Sequence, residues 1–291
     1  MPRSTVIEGP PGLHVVRSGP EQGAGLPVVI VHGAMDRSTS FGRTVRFLDD
    51  VEVIRYDRRG YGKSVDLGTG TMGDHVADLA AVLDGRPAVV VGHSIGGVVG
   101  LALAEQRPDL VPSVAAFEAP MAWADWWPSG SAGGSALAAA ADGDEAEVAA
   151  VAAERFMQGM IGQHRWERLP PWTRSARRAE GLALLADLRS LRTEVPPYEA
   201  TALTQPVTSG YGTGSRPHHV RAAVELARMA ARSELVIVDG SDHSAHLTYP
   251  KEFADFVRRA RDRAADASPA AGTPASARRP APGGPVGPPA R

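Results

Sequence analysis

The chain has no cysteine among its 291 residues. That absence removes disulfides, thiolate nucleophiles and cysteine-based zinc sites together. It also has no block of like charge: 31 Lys and Arg face 33 Asp and Glu, a formal net charge of −2. Nothing electrostatic recommends a nucleic acid or a membrane surface as a partner. The opening residues, MPRSTVIEGPPGLHVVRSG, lack the apolar run of a secretory signal. The most apolar stretch, Pro87 to Ala104, is broken by Gly92-His93-Ser94 and by Gly96, Gly97 and Gly100. It is too short and interrupted to span a bilayer. The expectation is a soluble, cytoplasmic protein, and a hydrophobic content of 43% is ample for a sizeable core.

Continuous apolar runs rich in β-branched residues occur at Val28–Val31, Val51–Ile54, Ala88–Val91, Val114–Phe117 and Leu235–Val238. Such runs suit parallel strands buried on both faces. Helical patterns lie between them, at Asp74–Leu83 and Val98–Glu105, so the alternation predicts an α/β fold with a doubly wound parallel sheet. Val6 to Arg17 reads as one or two antiparallel edge strands. The alternation stops at Pro120 and resumes at Pro206. Between them the pattern is helical, best at Asp144–Met160 and Thr173–Arg192, which predicts a helical cap over 121–205 inserted into a core of 1–120 and 206–263. All five tryptophans, Trp123, Trp126, Trp127, Trp166 and Trp172, fall in that cap. They fill a cap core, line a substrate pocket, or both; Trp123, Trp126 and Trp127 are the candidates for the pocket. Residues 264–291 are Ala/Pro/Gly-rich and carry too few large apolar side chains to offset chain entropy, so a disordered tail is expected there.

Gly92-His93-Ser94-Ile95-Gly96 fits G-x-S-x-G, preceded by the apolar run AVVV and followed by the helical GVVGLALAE. In that context the serine sits on a sharp strand-to-helix turn that lifts its hydroxyl clear of the sheet. Ser94 is the candidate nucleophile and the Ile95 N–H one oxyanion donor. His32-Gly33-Ala34 follows the run VVIV, and the Ala34 N–H is the best second donor; His32 is expected to brace that loop. Asp239-Gly240-Ser241-Asp242-His243 follows the last strand, where a histidine can reach over the nucleophile. His243 is therefore the candidate base, with His246 a weaker competitor. A metal site built from His243, His246, Asp239 and Asp242 lacks a helical histidine pair with an intervening acid. His218-His219 reads as a solvated or capping pair, and the charges of Asp57 to Ser64 read as structural. Gly68, Gly70 and Gly73 match a dinucleotide fingerprint, but no buried strand precedes them.

In IVHGAM, YDRRGYGKS, VVVGHSIGG and DGSDHSAHLTYPKEFADFV, taken in that order, the chain resembles the α/β-hydrolase superfamily. The resemblance covers Val6 to about Arg263, with the cap similar only in position. It implies an eight-stranded, mostly parallel sheet, a Ser–His–acid triad and no cofactor. One departure stands out: where the family usually places its acid, after the strand that follows the cap, this chain has Ser215. Some members place the acid after the strand that follows the nucleophile helix. Here that strand ends in Glu118-Ala119-Pro120, so the resemblance assigns the acid to Glu118, with Asp125 as runner-up. The function implied is hydrolysis of an ester or thioester of a small to medium, largely apolar acid. Carbon–carbon bond hydrolysis or lyase chemistry on the same triad is the alternative, followed by a non-catalytic binding protein. Fold alone does not choose among them.

Overall fold

The computed structural model describes residues 4–21, 25–140 and 145–267. Eight strands form one sheet: β1 (Thr5–Ile7), β2 (Val15–Ser18), β3 (Val28–Val31), β4 (Val53–Tyr56), β5 (Val89–His93), β6 (Ser113–Phe117), β7 (Val207–Gly212) and β8 (Ser233–Val238). Their spatial order is β1-β2-β4-β3-β5-β6-β7-β8. The β1–β2 and β2–β4 pairs are antiparallel and all others parallel. The sequence-based expectations for both the mostly parallel sheet and its antiparallel edge are met. The fourth strand lies two residues later than its apolar run, because Val51 closes a turn on Leu48 (N–H to O, 3.1 Å) before the ladder begins.

Helices cover both faces. On one side α1 (Met72–Leu83), α2 (Ile95–Gln106) and α8 (Pro217–Met229) pack on the sheet around Leu79, Val98, Leu101 and Leu226. On the other, α10 (Pro250–Ala267), which follows the short α9 (Ala245–Thr248), lays Phe253, Phe256, Val257 and Ala260 against Val28, Ile30, Val89 and Phe117. The strands between are buried on both faces, which explains their unbroken apolar runs. Ala264 is also buried, so α10 carries the ordered chain past the expected boundary at 264. The rest of the expected tail, from 268 onward, lies outside the described residues. No described helix is long and apolar enough to cross a membrane.

From β3 the chain winds first toward β4 and then, with β5 to β8, in the opposite direction. The reversal falls between the adjacent strands β3 and β5, and a crevice opens at their carboxyl ends. Among the described residues, five α-helices between β6 and β7 lie beyond those ends: α3 (Ala132–Ala139), α4 (Glu145–Ile161), α5 (Gln163–Glu167), α6 (Pro171–Ala179) and α7 (Gly181–Ser190). Their own apolar cluster, with Ala152, Phe156, Leu184 and Leu188, takes in Met35 and Tyr61 from the loops after β3 and β4. The single helix expected over Thr173–Arg192 is two helices. It breaks because a side chain at Gly181 would sit 2.1 Å from the Ala149 carbonyl of α4. At the break, buried Glu180 turns inward to accept from Arg37 at 2.5 Å and from the Gly62 N–H at 2.9 Å.

Candidate active site

Ser94 joins β5 to α2 with φ 53° and ψ −129°, a conformation that non-glycine residues rarely adopt. The glycines of the motif make this turn possible. A Cβ on Gly92 would lie 2.2 Å from the Gly96 carbonyl oxygen, and one on Gly96 would lie 2.2 Å from that of Val31. The turn is held by the Ser94 N–H donating to Phe117 O at 2.9 Å and by the Gly97 N–H donating to Ser94 O at 2.8 Å. Ile95 is the first residue of α2, where a backbone N–H has no intrahelical acceptor. Ala34, just after β3, and Ile95 both line the cavity that Ser94 faces.

His32 is fully buried and fixes the loop that carries Ala34. Its Nε2 accepts from the Arg58 N–H at 2.8 Å, so Nδ1–H donates to Gly33 O at 2.7 Å. Burial, then the Arg58 charge, pushes His32 down to about 4, so it stays neutral. The bracing role expected for it agrees with this geometry.

Glu118 follows β6 at φ 50° and is wholly buried. Its N–H donates to Gly210 O at 2.8 Å, which ties it to β7. Oε2 accepts from His243 Nδ1 at 2.7 Å. Oε1 accepts from the Gly212 N–H at 3.0 Å and from the Ser215 hydroxyl. Ser215, found where an acid was expected, therefore holds the Glu118 carboxylate. Asp125, the runner-up, has no contact with His243 among the described residues.

His243 emerges after β8, its ring between those of His93 (centroids 4.6 Å) and His219 (4.4 Å). His93 Nε2–H donates to the His243 carbonyl at 2.7 Å and anchors its loop. Burial first, then the neighbouring His246, lowers His243 to about 3. It is therefore neutral at neutral pH, as a general base must be. The Asp36 carboxylate opposes that shift, and a carboxylate at hydrogen-bond distance, as Glu118 is, favours an imidazolium once a proton arrives. Ser94 and His243 line the same cavity, of about 570 Å³ including its mouth. Among the described residues no hydrogen bond joins their side chains, and such contacts commonly tighten only when substrate is bound.

The reading of His218-His219 as a solvated or capping pair is corrected: no side-chain cap bond forms at the start of α8. His219 is buried, packs on His243 and lies 3.9 Å from Glu118 Oε2. Pro217 starts α8 directly after the β7 loop, and this points the first turn into the cavity rather than into solvent. His246 turns away from the cavity to Asp36 (3.2 Å) and stacks on Phe41. Asp239 accepts from Thr213, and Asp242 from the Ser244 N–H. The four residues considered for a metal therefore do not converge. Two other sets have donor atoms within 4.8 Å of one another: Asp36, His93 and His246, and Glu118, His219 and His243. In each set a histidine–carboxylate contact accounts for the closeness.

Of the three tryptophans expected in the pocket, only Trp127 lines it, edge-on to His218 at 4.7 Å and His219 at 5.5 Å. Trp123 and Trp126 line a separate recess, with Trp123 against Tyr198 (5.6 Å) and the Arg221 guanidinium over Trp126 (4.3 Å). Two successive turns, Met121 to Ala124 and Ala124 to Trp127, separate their directions. Trp166 is in the insertion's interior and Trp172 is exposed.

Sequence reasoning missed Asp187. From α7 it accepts from Arg58 (2.7 Å), the Tyr61 hydroxyl (2.7 Å) and His75 Nε2 (2.7 Å), all buried. The signal was an acid between Leu184, Leu185 and Leu188 on an apolar helix face. Asp57 accepts the N–H groups of Ser38 and Lys63, so the charges of that loop are indeed structural.

A family model described as "Alpha/beta hydrolase family" matches residues 28–256, well over half the chain. Lipase LipV of Mycobacterium tuberculosis is 37% identical over 105 residues, 35% of this chain and 40% of the lipase. The chain thus spans under half the length of that relative. The 2-(acetamidomethylene)succinate hydrolase of Mesorhizobium japonicum is 29% identical over 259 residues, 79% of this chain and 86% of the relative. Among solved structures, an enol-lactonase from Burkholderia xenovorans superposes with a TM-score of 0.64 at 19% identity, covering 84% of this chain and 96% of that one.

Proposed function

The chain belongs to the alpha/beta hydrolase family, and from that premise we propose that it is a serine hydrolase cleaving an ester or thioester of a small to medium, largely apolar acid. The observation that carries this reading is the 2.7 Å contact of buried Glu118 with His243 at the wall of the cavity that Ser94 faces. Ser94 Oγ attacks the acyl carbon while His243 takes its proton. The Ile95 and Ala34 amides hold the oxyanion. His243 then protonates the leaving group, and water, deprotonated by His243, releases the acid from Ser94. Glu118 keeps the His243 tautomer and orientation fixed throughout. The apolar walls supplied by Phe156, Met160, Leu188 and Leu191 suit an aliphatic acyl chain.

Labelling with a fluorophosphonate, followed by a screen of acyl esters and thioesters of graded chain length, tests the proposal. Modification of Ser94 with turnover of short or medium acyl substrates is expected. A folded protein that neither reacts at Ser94 nor turns over any of them overturns it. Labelling at Ser94 without ester turnover moves the assignment to carbon–carbon bond cleavage on the same residues.

A further inference from the structure

Arg192 is the one permanently charged side chain in the described wall of the Ser94 cavity, and no Asp or Glu lines that wall. It stands just beyond α7, where its N–H donates to Arg189 O at 3.0 Å. Its Nη2 lies over Gly134 of α3, close enough that a Cβ there would come within 3.0 Å. Some arginines around the insertion are matched to acids, Arg37 and Arg177 to Glu180, Arg58 to Asp187, Arg178 to Glu154; Arg155, Arg165, Arg168, Arg174 and Arg189 form no ion pair among the described residues, but none of them lines this cavity. Among the described residues Arg192 has no such partner and no side-chain hydrogen bond. His218 and His219 share the cavity, but burial, the largest influence on each, favours their neutral forms. Arg192 is itself exposed to solvent, so the cavity combines apolar walls with a single positive charge at its rim that no acid pairs among the described residues.

We propose that the acyl group this enzyme takes carries a carboxylate and that Arg192 receives it. The proposal rests on the serine-hydrolase reading and deepens it. A guanidinium presents a planar pair of donors that matches a carboxylate. One such group balances one negative charge, whereas a phosphate dianion calls for more donors than this wall supplies. The carboxylate belongs to the acyl part because that part stays bound to Ser94 through both half-reactions and is what the cavity must hold. The substrate class is a monoester or monothioester of a short dicarboxylic acid. Its apolar middle lies along Phe156, Met160, Leu188 and Leu191. Arg192 acts on specificity and takes no part in bond making or breaking.

Two 4-nitrophenyl esters of equal acyl length form the test, the anionic hydrogen glutarate and the neutral pentanoate. The wild type is expected to favour the anionic ester in kcat/KM. Arg192→Met should lower kcat/KM for it by about ten- to a hundredfold, the range for a lost charge-assisted hydrogen bond. The effect should fall mainly on KM, the neutral ester should stay within twofold, and Arg192→Lys should restore part of the loss. Binding of glutarate monoamide to Ser94→Ala, with and without Arg192→Met, reads the same charge preference without turnover. Equal losses on both esters, or an anionic preference that survives Arg192→Met, overturn the proposal. If neither ester turns over yet the monoamide binds in an Arg192-dependent way, the serine mechanism fails and the carboxylate site stands.

Discussion

Two histidine–carboxylate pairs lie side by side in this fold, both drawn from one short stretch of sequence. His243 contacts Glu118 at 2.7 Å, and His246, three residues on, contacts Asp36 at 3.2 Å. His93 packs against both histidine rings, with centroids 4.6 Å from His243 and 4.4 Å from His246. The pairs differ in access. The His243 side chain keeps 15% of its surface and opens on the cavity, while that of His246 keeps 3% and is closed off by Phe41. On the proposed serine-hydrolase reading, the same two chemical groups are thus a proton-transfer device in one place and a brace in the other. The position of the opening makes the distinction, and the residue types do not.

The strongest test of the open pair is the removal of what it serves. Ser94→Ala should cost on the order of 10⁴-fold or more in kcat, leaving only oxyanion-hole catalysis, with the melting temperature unchanged or raised. A folded Ser94→Ala that keeps most of its turnover contradicts the serine mechanism. Next, the two carboxylates can be neutralised in turn. Glu118→Gln should lower kcat by about 10³- to 10⁴-fold at neutral pH by allowing the wrong His243 tautomer. Asp36→Asn should instead act on folding, costing roughly 2–4 kcal/mol in denaturant titration, with kcat kept within about tenfold. Ser215→Ala, which loosens Glu118 without discharging it, should fall well short of Glu118→Gln. If Asp36→Asn collapses turnover while Glu118→Gln does not, the two pairs have been assigned the wrong way round.

The tryptophans offer a milder contrast of the same kind. Trp127→Ala should shift the preferred acyl chain length by several-fold in relative kcat/KM, because Trp127 lines the cavity. Trp126→Ala, in the neighbouring recess, should leave the profile unchanged. Identical profiles for both variants would separate the cavity wall from specificity.

The smallest expected effect on turnover comes from acid. With His243 lowered to about 3, activity per folded molecule should stay level between pH 7 and pH 5. Stability should not. His243, His93 and His219 all take up protons more readily in the unfolded chain, because burial holds each below its usual range in the fold. Their neutral burial costs nothing extra above about pH 6.5, the ordinary histidine value, and the melting temperature should fall as pH drops below it. Turnover with a midpoint near pH 6.5 would place the catalytic histidine in water rather than in this enclosure.

How much of this was legible in the sequence depended on the range of the contact. The elbow around Ser94 is local, since its glycines, strand and helix are contiguous, and it could be read directly. Glu118 could be reached because Ser215 left the usual acid position without a charge. That Ser215 donates to Glu118 could not be read, because 97 residues separate them. Distance along the chain likewise hid the convergence of Arg58, Tyr61 and His75 on Asp187. The break between α6 and α7 depended on α4 approaching Gly181, a matter of tertiary packing. Trp123, Trp126 and Trp127 looked equivalent in composition, and only the intervening turns sorted them.

Three non-glycine residues at the ends of the central strands hold a positive φ: Met35 at 57°, Ser94 at 53° and Glu118 at 50°. Each such position costs on the order of 1 kcal/mol that glycine would not incur. The Ser94 side chain makes no hydrogen bond among the described residues, so the route from serine to glycine is expected to run downhill in folding free energy. On the serine-hydrolase reading, directed evolution for heat resistance alone would therefore enrich Ser94→Gly and deliver robust, inert protein. A library built on this scaffold has to be sorted on turnover and temperature together, because at this one codon the two demands pull in opposite directions.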